Sequence, residues 1–184
     1  MSILVGTEEG LHELDESTGP KGVHLPGHDV GALAIEGSGW WVLTDGENVW
    51  RSDRSGGWDQ VASSNDRRLN CVWPTAAGLL VGADEATLLR LEDGSLRSID
   101  AFEKVSGRDR WYTPWGGPPD VRSISEDPER AIFVNVHVGG IVRSTDGGKT
   151  FEPTIDIDTD VHQVLAAPGH PGLVLAATGA KGWP

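Results

Sequence analysis

At 184 residues the chain is long enough for one well-cored domain, and its 25 glycines, 11 prolines and eight tryptophans, set among many short β-like runs, suit an all-β repeat protein. A formal net charge of −13 argues against a nucleic-acid groove or an anionic membrane as partner, and weakly against anionic sugars unless a local cationic pocket overrides the field. The single cysteine, Cys71, excludes an intramolecular disulfide and a cysteine-cluster metal site, and its neighbours Leu69, Val72 and Trp73 mark a core position.

The N-terminus opens on the apolar run Ile3-Leu4-Val5, without the basic region, long apolar core and cleavage site of a signal peptide. No stretch approaches transmembrane length. A cytoplasmic protein is the expectation. Apolar runs that end in a small or acidic residue recur along the chain, at Ile3–Thr7, Trp41–Asp45, Leu79–Ala83, Ile132–Val136 and Leu173–Ala177. Their spacing is about forty residues, apart from one longer interval before Ile132, and about forty residues with four short strands is the signature of a propeller blade.

With strands lettered A to D from the axis outward, blade one (residues 1–28) begins at B, Ile3–Glu8, followed by C, Gly10–Asp15, and D, Gly22–Pro26. Blade two (29–66) has A at Val30–Glu36, B at Trp40–Asp45, C at Asn48–Asp53 and D at Trp58–Ala62. Blade three (67–119) has A at Leu69–Pro74, B at Gly78–Ala83, C at Thr87–Leu91 and D at Ser95–Phe102. Blade four (120–159) has A at Val121–Ser125, B at Ala131–His137, C at Gly140–Ser144 and D at Phe151–Ile155. A partial blade five (160–184) supplies A at Val161–Ala166 and B at Leu173–Thr178. Two closures fit this order. Val161–Ala166 can supply the strand that blade one lacks and close a four-blade ring, or the ring is incomplete and exposes apolar faces that invite self-association with a second copy.

One turn stands out. Ser144-Thr145-Asp146-Gly147-Gly148-Lys149-Thr150-Phe151 reads Ser-x-Asp-x-Gly-x-Thr-aromatic between two extended runs. Ser144 and Asp146 can bond N–H groups inside the loop, Gly147 and Gly148 can supply positive φ, and Phe151 can tuck into the layer below. An ordinary Gly-rich hairpin is the plainer alternative. The octet closely resembles the Asp-box of the BNR (bacterial neuraminidase) repeats, with Ser144, Asp146, Gly148, Thr150 and Phe151 at the box positions. Ser52-Asp53-Arg54-Ser55-Gly56-Gly57-Trp58 resembles a degenerate copy. The resemblance implies a β-propeller of four-stranded antiparallel blades, of which this chain holds about four and a half. Such propellers typically run to six to eight blades, so by resemblance the chain corresponds to the N-terminal part of a larger one. The resemblance also makes the box structural and places binding or catalysis on the opposite face, among the B-to-C and D-to-A loops.

On that face the longest loop, Glu103–Pro119, is rich in aromatics and arginines. Trp111, Tyr112 and Trp115 can serve as stacking platforms for a small-molecule or glycan ligand, or the loop can be a lid that packs down. Arg122 and His162 begin equivalent A strands and His137 ends a B strand, as Asp45 and Glu8 do. Together they can hold an anionic group or perform acid/base chemistry. Asp156, Asp158 and Asp160 alternate, but without the glycine and distal glutamate of a calcium loop they read as a solvated connector. No metal and no cofactor is expected. The expected function is a non-catalytic binding or scaffolding propeller. The alternative is a glycoside hydrolase of the sialidase-like class. That chemistry needs three arginines, a tyrosine nucleophile with a glutamate and an aspartic acid, and here Tyr112 is the only tyrosine, only Arg122 can be assigned, and the Arg-Ile-Pro opening motif is absent. A resemblance to the propeller of photosystem assembly factors implies a binding role as well.

Overall fold

The computed structural model describes residues 2–53, 57–114, 116–157 and 159–179. Seventeen strands fall into five antiparallel sheets among these residues. The first sheet is β1 (Ser2–Thr7), β2 (Gly10–Asp15) and β3 (Gly19–His24), and the second is β4 (Val30–Glu36), β5 (Gly39–Thr44), β6 (Asn48–Ser52) and β7 (Asp59–Ser63). The third is β8 (Leu69–Thr75), β9 (Gly78–Ala83), β10 (Thr87–Glu92) and β11 (Ser95–Ser98), followed by a one-turn helix α1 (Asp100–Glu103) and a 3-10 turn at Arg108–Arg110. The fourth is β12 (Val121–Glu126), β13 (Ile132–Val136), β14 (Gly140–Ser144) and β15 (Glu152–Pro153), and the fifth is β16 (Val161–Ala166) with β17 (Val174–Thr178). Each full sheet is a meander with its first strand at the inner edge. The inner strands β4, β8, β12 and β16 pack side by side, each against the next. This is an all-β propeller of four-stranded antiparallel blades.

Strands form where apolar residues alternate, and two of the turns are fixed by an aspartate. Asp15 accepts N–H bonds from Ser17 (2.9 Å) and Thr18 (3.1 Å), and Asp127 accepts them from Glu129 (2.9 Å) and Ala131 (2.8 Å). The blades then bury their faces against each other. One cluster joins Leu80, Leu88, Val121, Val134 and Val142 across the third and fourth sheets; another joins Leu43, Val49, Val72 and Val81 across the second and third. Val121 presses so closely on Gly82 that a Cβ there would lie 2.4 Å from its Cγ1, and Val30 stands over Gly6 in the same way at 2.7 Å. At these two junctions the first residue of an inner strand sits on a glycine of the preceding blade.

Three expectations are corrected. The outer strand of blade three stops at Ser98, because Ile99 and Phe102 turn inward and become buried as α1 begins. The outer strand of blade four shrinks to Glu152–Pro153, since a proline has no N–H for the ladder. Val161–Ala166 does not close a four-blade ring: β16 pairs with β17 and packs on β12 and β13, while β1 pairs only with β2 among the described residues. Among the described residues blade one has no inner strand, and Leu33 and Ile35 of β4 are exposed; Leu165 and Leu175 are exposed at the other end. The degenerate box turn spans residues 54–56, which lie outside the described residues.

The turn after β14 is stapled as its residues suggest. Ser144 Oγ donates to Asp146 Oδ1 at 2.8 Å and accepts the Gly148 N–H at 2.9 Å. Asp146 Oδ1 accepts the N–H groups of Lys149 (3.0 Å) and Thr150 (2.9 Å), and Oδ2 accepts the Thr150 hydroxyl at 2.7 Å. Gly147 and Gly148 take φ of 73° and 85°. Phe151 is buried edge-on against Phe102, and Arg90 of β10 donates to the Gly147 carbonyl at 2.8 Å, tying this turn to the preceding blade.

Candidate functional site

The site is built by one irregularity that the fold repeats. In all four inner strands the pairing register slips after the first residue, between Val30 and Ala32, Leu69 and Cys71, Val121 and Ser123, and Val161 and Gln163. The extra residue at each bulge is Gly31, Asn70, Arg122 or His162. A bulge frees one side chain from the alternation and re-aims it at the end of the strand. A second repeat flanks it. The residue after each B strand donates its N–H to the carbonyl of the residue before each inner strand: Asp45 to Asp29 (2.7 Å), Asp84 to Arg68 (3.0 Å), His137 to Asp120 (2.9 Å) and Gly179 to Asp160 (2.8 Å). Each of these four blades thus offers three equivalent positions at one mouth of the arc.

Arg68, Asn70, Asp84, Asp120, Arg122 and His162 line a common open cavity of about 570 Å³ there. A neighbouring cavity of about 420 Å³ shares Arg68 and continues along Asp29, Asp45, Glu47 and Asp66. Asn70 Nδ2 and Asp84 Oδ1 are buried atoms without a hydrogen bond, so both keep unused polar capacity at the cavity wall. Arg122 is only loosely held by Asp120, at 3.9 Å. Further along, Asp45 is tied to His28 at 2.6 Å. Burial alone would raise the Asp45 carboxyl, but bonds from His28, the Asp29 N–H and Thr44 outweigh it and hold it below the usual range.

At the other edge of the cavity, buried His137 and exposed His162 flank one carboxylate. His137 Nε2 lies 3.1 Å from Asp160 Oδ1, and His162 Nε2 lies 3.6 Å from Asp160 Oδ2. Burial, then the charge of Arg122, lowers the His137 pKa, which keeps the imidazole neutral against the pull of Asp160. The turn after His137 is strained: Val138 has φ 56°, a left-handed conformation that β-branched residues rarely adopt. Gly139 beside it leaves room for Trp111, whose Cδ1 would stand 3.2 Å from a Cβ at that position.

The long loop is a lid on the blade interior. Trp111 is buried against Phe102, and Arg108 lies 5.2 Å from the Trp111 ring while donating to the Ala86 carbonyl at 2.7 Å and to Glu103 at 2.6 Å. The Trp111 ring is therefore a core element with no face free for stacking. Tyr112 is 61% exposed and does not line this cavity. Trp115 lies outside the described residues, as does Asp158. Of the residues expected to meet, Arg122 and His162 share the cavity and His137 stands behind His162. Cys71 is buried, and burial pushes its thiol up to about 12, which removes it as a nucleophile. Arg68, Asn70, Asp84, Asp120 and Asp160 are additions. Ending the B strand of blade three one residue later, at Asp84 in line with Asp45 and His137, would have revealed Asp84.

No protein-family model and no curated protein matches the sequence. The structure is similar to the YCF48 protein bound to D1 peptide over 95% of this chain and 57% of that one, at 12% identity and a TM-score of 0.60. It is similar to BamB from Moraxella catarrhalis over 96% and 51%, at 13% identity and a TM-score of 0.60. It is similar to the GH74 xyloglucanase from Xanthomonas campestris over 98% and 27%, at 20% identity and a TM-score of 0.59. The chain spans about half the length of the first solved structures that it matches. No helix among the described residues is long and apolar enough to cross a membrane. What the chain shares with these proteins is the β-propeller fold.

Proposed function

We propose that the protein is a non-catalytic binding propeller that captures an extended polar peptide on the face formed by its B-to-C and D-to-A loops. The observation that carries this reading is the recurrent bulge, which delivers Asn70, Arg122 and His162 from three consecutive blades to one cavity. Arg68 and Arg122 are suited to a ligand carboxylate. Asn70 Nδ2 and Asp84 Oδ1, lacking hydrogen bonds, are suited to the C=O and N–H groups of a peptide backbone. The cavity is lined by polar and charged side chains, which disfavours the glycan stacking that aromatic faces support. A fold relative bound to D1 peptide gives precedent for a peptide ligand. The glycoside hydrolase reading draws no support from Tyr112, which stands outside the cavity.

In this reading residues 2–179 are successive blades of one propeller domain, and the Ser144–Phe151 turn is an Asp-box of the BNR type that serves the fold alone. The test is fluorescence anisotropy with a synthetic library of dodecapeptides, each carrying one or two carboxylates. Selected peptides are expected to bind at least tenfold more weakly to Arg122→Ala, whose side chain is half-exposed and makes no short bond, with little change in thermal stability. Binding that is the same in Arg122→Ala and Arg68→Ala would sink the assignment.

A further inference from the structure

We propose that His137, Asp160 and His162 form a binding site for one divalent first-row transition ion of the zinc type, with a coordination position open to the axial cavity. The site borders the cavity described above and shares His162 with it, but does not depend on a peptide ligand.

Two imidazoles and one carboxylate are a donor set that zinc-type ions accept and that calcium and magnesium, which take oxygen ligands, do not favour. The three donor atoms lie within 4.8 Å of one another. Around an ion with bonds of about 2.0–2.2 Å, neighbouring donors stand roughly 3–3.6 Å apart. Each imidazole stands at such a separation from one oxygen of the Asp160 carboxylate, 3.1 Å from His137 Nε2 to Oδ1 and 3.6 Å from His162 Nε2 to Oδ2. His162 is half-exposed, and a small rotation of its ring brings the third donor into place.

Two further observations bear on this cluster. Asp160 Oδ1 is a buried oxygen without a hydrogen bond, 3.1 Å from His137 Nε2. An ion between the two would satisfy that oxygen. Gly179 donates its N–H to the Asp160 carbonyl, and a Cβ at Gly179 would lie 2.5 Å from Asp160 Oδ2 and 3.4 Å from His162 Nε2. The backbone therefore walls one side of the cluster with no side chain to spare, while the cavity leaves another side open. Three protein donors with an open side are the arrangement of metal sites that also bind an exogenous ligand. Arg122 and Asp120 face the same space with opposite charges, so the local field does not by itself exclude a cation. Equivalent positions in blades two and three hold Asp29, Gly31 and Asp45, and Arg68, Asn70 and Asp84, neither of which contains two imidazoles. The site is thus specific to the junction of the last two sheets.

The experiment uses the tag-free full chain stripped with chelator. Co²⁺ is added while visible absorption is read, and Zn²⁺ is titrated by calorimetry. One ion per chain is expected, with a four- or five-coordinate cobalt spectrum and no comparable heat from Ca²⁺ or Mg²⁺. His162→Ala and Asp160→Ala should each weaken Zn²⁺ binding at least tenfold, while His170→Ala, a histidine outside the cluster, should bind as the parent does. Because His137 is buried and its removal can perturb the fold, the exposed His162 is the deciding position. Arg122→Ala should keep the ion, which separates this site from the peptide reading. Zinc bound equally well by His162→Ala and Asp160→Ala, or no cobalt spectrum at millimolar ion, would overturn the proposal.

Discussion

Asp146 shows how much one exposed side chain can organise. The Thr150 hydroxyl, then the Thr150 N–H, hold its carboxyl well below the ordinary range. A carboxylate with a depressed folded pKa adds stability that is complete above the unfolded value of about 3.9 and is lost as pH falls through the lower folded value. Asp146→Asn should therefore lower Tm by a few degrees near neutral pH, with the gap to the parent closing only below about pH 4. Thermal scans from pH 7 down to pH 2 check this, and a gap that never closes would assign the loss to shape instead of charge. The octet around Asp146 was legible in the sequence because every partner lies within eight residues. The site was legible in part: the equivalent strand ends brought Arg122, His137 and His162 together, but Arg68, Asn70 and Asp84 come from a blade about forty residues away, with no local pattern to join them.

Among the elements, the inner strands carry both packing and function. Gly82 of β9 lies under Val121 and Cys71, with the Cys71 Sγ 2.5 Å from where a Cβ would stand. Gly82→Ala should destabilise the protein by about 1–3 kcal/mol through overpacking, whereas Gly22→Ala, which meets nothing within 4 Å, should be close to neutral. Denaturant unfolding of the two variants makes the comparison. Strand positions followed from alternation broken by Gly, Asp and Pro, and β2, β4, β9, β14 and β16 span the residues expected. The bulges were hidden because an inserted residue looks, in sequence, like an ordinary change of face. Trp111 stayed open for a related reason: a tryptophan in a long loop reads equally as a surface platform or as part of a lid, and here the loop folds back and buries it against Phe102.

For the whole molecule, the two ends of the arc matter most. Ile35 is 57% exposed on the inner strand of the second sheet, and Leu175 is 52% exposed on the last sheet. Apolar faces of this kind are normally covered by a neighbouring blade. A chain of these 184 residues is expected to run as a dimer in which blades of two copies face each other, with Ile35→Lys and Leu175→Lys shifting it to monomer. Light scattering during size exclusion reads the mass, and a monomeric parent would discard the pairing. The recurring bulge has a separate consequence. At that position the chain tolerates glycine, asparagine, arginine and histidine while the strand beyond it keeps the same apolar side inward. Each blade therefore behaves as a socket that accepts an interchangeable plug, and selectivity can be rewired one socket at a time with the hydrophobic chassis untouched.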